Sequence, residues 1–190
     1  MMKVGATRSR TRRAAVVALS VCALTGAAFV TGQDSQDRYK LQSPNGIAFS
    51  EFRGYEGWQD VAVSQTGTAI KAILANPVMI RAYREGIPSD GQSFPDGSAI
   101  VKIAWNKAPN PVSPYAVEVP TTLQSVSFIE KDSKRFPETS GWGYAQFLYD
   151  PTTKAFRAYG KDASFGKTVC YQCHTAVRGR DYIFTGYPTR

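Results

Sequence analysis

The segment Ala99-Ile100-Val101-Lys102-Ile103-Ala104-Trp105 is apolar at every position except Lys102. Such a run is typical of a strand with both faces buried. An amine inside that run is out of place, because an unpaired buried ammonium is costly and its pKa can fall by several units. Taken alone, the residues favour a Lys that protects a sheet edge from aggregation or one that reaches solvent.

Short β-like segments lie on both sides of this strand, and Gly and Pro residues separate them. We predict further strands at 58–64, 68–75, 115–119, 123–130, 143–149 and 155–159. The last two are joined by a turn-rich stretch, which predicts a hairpin. Asn76 and Pro77 open a helix that Gly86 ends. The predicted fold class is α+β: a mainly antiparallel β-sheet domain with a few short helices, the last of them near the C-terminus.

That last helix is predicted from Cys170-Tyr171-Gln172-Cys173-His174, which matches the Cys-x-x-Cys-His signature of covalent haem attachment. The two thiols bond the haem vinyl groups, and the adjacent imidazole becomes the proximal ligand of the iron. A thioredoxin-like dithiol typically lies early in its fold, and a zinc site needs a fourth ligand. A disulfide across the motif would close a small, strained loop. The motif therefore predicts one covalently bound haem c, with His174 as the axial ligand.

His174 is the only His in the chain, so the other side of the iron lacks a second imidazole. Met79 could bind there, as in electron-transfer cytochromes, but its place on the predicted helix also suits a core residue. Arg178 and Arg180 could pair with the haem propionates or remain exposed loop charges. Asp181 could fix the loop after the haem helix. We expect an open or water-bound iron, which suits a small-molecule reaction more than electron carriage alone.

Residues 1–32 differ from the rest of the chain. Five basic residues between positions 3 and 13 precede an apolar run over 14–30, and no acidic residue occurs before Asp34. This pattern is typical of an export signal peptide over 1–32, and the apolar run is short for a membrane span. We therefore expect a periplasmic protein that is not held in a membrane once the signal is cleaved.

Removing the signal changes the charge and the cysteine count. The net charge falls from +8 to +3, because five of the 23 basic residues and none of the 15 acidic residues are lost. A charge of +3 gives no basis for nucleic-acid binding. Cys22 is lost, so the two remaining cysteines are those of the motif. After the signal we predict a flexible N-terminal arm over 33–45 and a single haem domain over 46–190.

Several stretches, taken in order, resemble the cytochrome P-460 family, which includes the cytochromes c-prime-beta. They are Phe-Pro-Asp-Gly-Ser-Ala-Ile-Val-Lys at 94–102, Lys-Asp-Ser-Lys-Arg-Phe at 131–136, Gly-Trp-Gly-Tyr at 141–144, the motif at 170–174, and Asp-Tyr-Ile-Phe-Thr-Gly-Tyr-Pro at 181–188. The resemblance implies a homodimer of antiparallel-sheet domains. In P-460 members a Lys is bonded to a haem meso carbon, and the enzyme acts on hydroxylamine and nitric oxide. In c-prime-beta members that bond is absent, and the haem binds diatomic gases in an apolar pocket.

Lys102 matches the cross-linking position, so the resemblance implies a further covalent tether and a haem P-460. The family's distal carboxylate lies further along the chain, at the position that Ser127 occupies here. A hydroxyl cannot accept a proton as a carboxylate does near neutral pH. Glu130 lies close by, but alternation along a strand places it on the opposite face from Ser127.

Three functions therefore stay open. Lys102 favours a haem oxidoreductase that acts on hydroxylamine or nitric oxide and passes electrons to a soluble partner. Ser127 favours a non-enzymatic protein that binds nitric oxide or carbon monoxide. An electron carrier with Met79 as axial ligand is the third.

Overall fold

Residues 36–89 and 91–190 are described by a computed structural model, and the predicted signal over 1–32 lies outside them. Within these two ranges, no helix is long and apolar enough to cross a membrane. The predicted domain limits at positions 32 and 45 stay predictions.

Six strands form one antiparallel sheet, in which each strand is hydrogen-bonded to the next one along the chain. They are β1 Gln59–Gln65, β2 Ala69–Ala75, β3 Ala99–Pro109, β4 Glu118–Lys131, β5 Trp142–Asp150 and β6 Ala155–Tyr159. The predicted class, a mainly antiparallel sheet with a few short helices, is confirmed. The strand that contains Lys102 lies inside the sheet, between β2 and β4.

β4 is one long strand where the sequence predicted two, at 115–119 and 123–130. Pro120 lies within it and pairs with Lys107 of β3. A proline has no N–H for a ladder, so it is tolerated only where one edge of the strand is free. β5 pairs with β4 only from Ser125 to Lys131, which leaves that edge free at Pro120.

Alternation along the segment 58–64 predicts Val61 and Val63 on one face of β1, but a bulge between Asp60 and Ala62 interrupts this alternation. Val61 is fully buried, whereas Val63, predicted on the same face, is 79% exposed. The predicted face assignment of β1 is therefore wrong, because the period of two holds only where strand pairing is continuous.

One face of the sheet is covered by residues 36–58, which we call the N-terminal segment. Phe49 and Phe52 pack on Phe128 and Phe147, and the rings of Phe52 and Phe128 stack 4.0 Å apart. The Gln36 side chain exchanges two hydrogen bonds with the backbone of Phe156 in β6. The described part of the predicted arm therefore contacts the edge of the sheet.

The opposite face, called the site face below, carries α1 (Pro77–Arg84) and the C-terminal residues. Asn76 caps α1 as predicted, because its side-chain oxygen accepts the N–H of Met79 at 3.0 Å. Met79 is fully buried in the core beneath α1.

The C-terminal helix is present as predicted, but it begins before the Cys-x-x-Cys-His motif rather than at it. It consists of a π-helix at Gly166–Tyr171, an α-helical turn at Gln172–His174 and a 3-10 helix at Thr175–Arg180. We call residues 166–180 the motif helix. The tail after it returns along the site face, where Ile183 is 1% exposed.

Candidate haem-binding site

Lys102 and Ser127 are direct cross-strand neighbours in β3 and β4. Both therefore lie on the site face, and two positions that are distant in sequence become adjacent in the sheet. Together with His174 of the motif helix they line a cavity of about 110 Å³. The other lining residues are Ile73, Ile100, Ile129, Ile183, Phe184 and Thr185. The structure thus brings three of the predicted site residues to one largely apolar cavity.

The imidazole of His174 is held in one orientation. Its Nδ1 lies 2.6 Å from the carbonyl oxygen of Tyr182. A carbonyl can only accept, so Nδ1 carries the proton and the lone pair of Nε2 is free. The ring packs between Tyr144 and Phe184, with centroids 5.0 and 4.9 Å away. Burial lowers the pKa of His174, which favours the neutral form that binds metals.

The two thiols of the motif are not joined to each other. Cys170 is half-buried against the core beneath α1, and Cys173 is exposed. Burial raises the pKa of Cys170, and the positive charge of Lys102 opposes that shift. Both thiols therefore remain available for bonding to a group held beside His174.

Lys102 is exposed, as expected for a Lys that reaches solvent, whereas the alternative of a sheet-edge Lys is wrong because β3 lies inside the sheet. Its amine makes no hydrogen bond or ion pair with any residue in 36–89 or 91–190. Its pKa is nonetheless lowered, mainly by desolvation and then by the charge of Lys71 on β2. The two findings are compatible because Lys102 lines the largely apolar cavity while part of its side chain is open to water. A lowered pKa increases the fraction of neutral, nucleophilic amine.

No Asp or Glu lines this cavity among the described residues. Strand pairing is continuous from Ser127 to Glu130, so Glu130 lies on the opposite face, as predicted. Its carboxylate accepts a hydrogen bond from Arg135 at 2.9 Å. Met79 is also absent from the lining, since it is fully buried beneath α1.

The two arginines after the motif lie outside the cavity. Arg178 is exposed, and its guanidinium has no hydrogen-bond partner within the described ranges. Arg180 donates to the carbonyl of Phe184 at 3.2 Å and so contacts the tail. A role for Arg178 toward haem propionates stays a prediction.

Two residues near His174 were not assigned a role from the sequence. Tyr182 contributes a backbone carbonyl, which no side-chain pattern can signal. Tyr144 lies in β5 beside His174, and its buried hydroxyl has no partner among the described residues. Only its place within the Gly-Trp-Gly-Tyr stretch pointed toward this site.

The donor set fits a c-type haem. Two free thiols and an imidazole with an available Nε2 are the groups that such a haem requires. The cavity of about 110 Å³ is smaller than the ~300–1,000 Å³ of pockets that enclose a ligand of this size. One wall is formed by Phe184, which is 47% exposed. A porphyrin seated beside His174 would therefore contact the tail at Phe184 and Thr185.

Comparison with known families supports the resemblance seen in the motifs. A family model described as Cytochrome P460 matches residues 52–185, well over half of the chain. That range contains every residue of the cavity. No curated protein matches the chain.

Proposed function

Since the chain belongs to the cytochrome P460 family, whose members carry haem, we propose that it is a mono-haem c-type cytochrome that reacts with hydroxylamine or nitric oxide. The haem is held covalently by Cys170 and Cys173, and His174 binds its iron through Nε2. When bound, the haem supplies a redox-active iron with one open coordination position.

The observation that carries this proposal is that Lys102 and His174 line the same cavity from two elements. Lys102 comes from the sheet and His174 from the motif helix, so a group placed between them contacts both. Lys102 has no polar partner among the described residues and its pKa is lowered, which suits an amine that bonds to the haem edge. Forming this bond would replace a meso C–H and an amine N–H, release two protons and pass two electrons to an external oxidant of the peroxide class. The product would be a haem P-460.

Mass spectrometry of a proteolytic digest tests the bond directly. We expect the Lys102 peptide and the peptide that contains Cys170 and Cys173 on one haem. Lys102→Ala should shift the ferrous Soret band, because it removes a substituent from the ring. Lys71→Ala is the matched control, since Lys71 lies on the same face of the neighbouring strand and should leave the band in place. A free Lys102 peptide and an unshifted band would contradict the proposal.

A second function, reversible binding of nitric oxide or carbon monoxide, is favoured because no carboxylate lines the cavity among the residues that the structure describes. Without a proton acceptor, the iron can bind a diatomic gas but turns over hydroxylamine slowly. This function predicts spectral titration of the ferrous protein by carbon monoxide together with no hydroxylamine oxidation. Electron carriage through Met79 is disfavoured, because its side chain lies in the core beneath α1.

The same proposal includes export to the periplasm, a soluble electron-transfer partner and a homodimer. Export is supported by the basic and apolar pattern of residues 1–32. The partner and the dimer are supported by family membership alone.

A further inference from the structure

A buried ion pair joins the end of β4 to the turn behind His174. The Nζ atom of Lys131 lies 3.0 Å from both carboxylate oxygens of Asp181. The two side chains are 6% and 5% exposed. In the sequence the two residues belong to separate stretches, and nothing there links them.

Lys131 and Asp181 each make further hydrogen bonds within the protein. Lys131 also donates to the carbonyl of Ser140 at 2.9 Å, and its Nζ lies 4.8 Å from the ring centre of Trp142. Asp181 also accepts the backbone N–H of Phe94 at 2.8 Å. Burying two charges costs several kcal/mol per ion, and an apolar pair of similar size is often as stable. Stability alone therefore does not explain the pair, and its geometric effect is the better explanation.

That geometric effect falls on the turn that contacts His174. Asp181 and Tyr182 have φ values of 45° and 64°, in the left-handed region that residues with side chains rarely adopt. This turn places the Tyr182 carbonyl 2.6 Å from Nδ1 of His174. Holding the Asp181 carboxylate therefore holds the acceptor that sets the tautomer of His174.

A second link from Lys131 reaches the same place through Ser140. The Ser140 hydroxyl lies 2.9 Å from the hydroxyls of both Tyr171 and Tyr182. Tyr171 is inside the Cys-x-x-Cys-His motif, and its ring lies 5.0 Å from that of Tyr182. Lys131 is thus linked to the turn that carries the Tyr182 carbonyl through Asp181. Through Ser140 it is also linked to Tyr171, which lies on the same helix as His174.

We propose that Lys131 and Asp181 are positioning residues for the iron ligand. They hold the 181–182 turn so that the Tyr182 carbonyl keeps its hydrogen bond with Nδ1 of His174. This hydrogen bond makes Nε2 a more basic ligand, which strengthens its bond to iron and stabilises the ferric state. The inference rests on the proposed function, because it takes His174 as the ligand.

The test replaces both charges together in the haem-loaded protein. Lys131→Met with Asp181→Asn leaves no unpaired buried charge and keeps an oxygen for the Phe94 N–H. We expect the iron–histidine stretching band of the ferrous protein, read by resonance Raman, to move to lower frequency. We also expect the reduction potential to become more positive. A merely structural pair would change the thermal unfolding midpoint and leave these two readouts in place.

Two further variants keep the test decisive. Lys167→Met with Glu138→Gln makes similar changes in an exposed pair between the motif helix and the β4–β5 loop, and should leave both readouts unchanged. Ser140→Gly removes one link to Tyr182 without exposing a charge, and should give a smaller shift in the same direction. Ser140 has a φ of 54°, which glycine tolerates.

The outcomes distinguish the positioning role of Lys131 and Asp181 from the proposed function. An iron–histidine band present in the parent protein but unmoved in both the double variant and Ser140→Gly would overturn the positioning role alone. A parent protein with haem attached but no iron–histidine band would overturn the proposed function as well.

Discussion

Ser127 is the residue at which the two proposed activities diverge. It is the cross-strand partner of Lys102, in a cavity whose lining includes no acidic residue among those described. Ser127→Glu would place a carboxylate at that position. Because a general base typically contributes about 10²–10⁴-fold, we expect the rate of hydroxylamine oxidation to rise by roughly 10-fold or more. Steady-state turnover with an artificial electron acceptor measures this change.

Ser127→Gln is the matched control, because it adds the same bulk without a proton acceptor. Its turnover should stay near that of the parent protein. Equal rates for the Glu and Gln variants would mean that a carboxylate on the site face does not limit this reaction, and the interpretation of Ser127 would be wrong.

Single residues also show why part of the site was predictable. Alternation along β4 placed Glu130 away from Ser127, and continuous pairing with β3 confirms it. The link between Lys131 and Asp181 was not predictable, because it joins side chains that are distant in sequence through a turn with left-handed backbone. The periodic pattern of residues along a single helix or strand does not predict such a contact.

At the scale of secondary-structure elements, the β4–β5 connection is held against the sheet by close contact at Gly143. A Cβ atom on Gly143 would lie 2.3 Å from the ring of Phe136. Gly143→Ala must therefore displace Phe136 and the connection that also carries Ser140. We expect the free energy of unfolding, measured by urea titration, to fall by about 1–3 kcal/mol.

Gly67→Ala provides the comparison for that change. Gly67 lies in the exposed β1–β2 turn, and a Cβ there meets nothing within 4 Å. Its effect should stay within about 0.5 kcal/mol. If the two variants unfold at the same urea concentration, the contact between Gly143 and Phe136 is looser than the structure indicates.

The elements themselves were predicted well where the pattern was local. The positions of most strands, the α1 cap at Asn76 and the β5–β6 hairpin all follow from residue type and spacing. The misjudged features depend on how one strand pairs with the next, which the local pattern of residues does not show. The bulge at Val61 requires β2, and the tolerance of Pro120 requires that β5 stop at Ser125.

At the scale of the whole molecule, the sheet divides two different environments. One face is an aromatic core closed by the N-terminal segment, and the other is the site face closed by α1, the motif helix and the tail. A charged cluster ties the N-terminal segment to β4. Arg135 donates to Glu51 at 2.6 Å and to Glu130 at 2.9 Å. The strength with which the N-terminal segment is attached to β4 should therefore depend on pH.

Glu130 sets the sign of that response. Desolvation, followed by the charge of Glu51, raises its pKa from 4.5 to about 7 even though Arg135 opposes the shift. The folded protein therefore holds a proton that the unfolded chain releases between pH 4.5 and about 7. The contribution of Glu130 to the free energy of unfolding is therefore greatest at low pH. It declines as the pH rises through that window, by at most about 1.4 kcal/mol per pH unit.

Glu130→Gln should remove this part of the pH dependence, because the amide does not titrate. Urea unfolding at pH 5 and pH 7.5 should show the parent protein losing more stability over that interval than the variant does. Glu138→Gln is the control, since Glu138 is 74% exposed and should leave the difference between the two pH values as it is in the parent. Parallel losses in the parent and in Glu130→Gln would show that Glu130 is already ionised at pH 5. The cluster would then join the N-terminal segment to β4 as an ordinary ion pair whose strength does not change over this range.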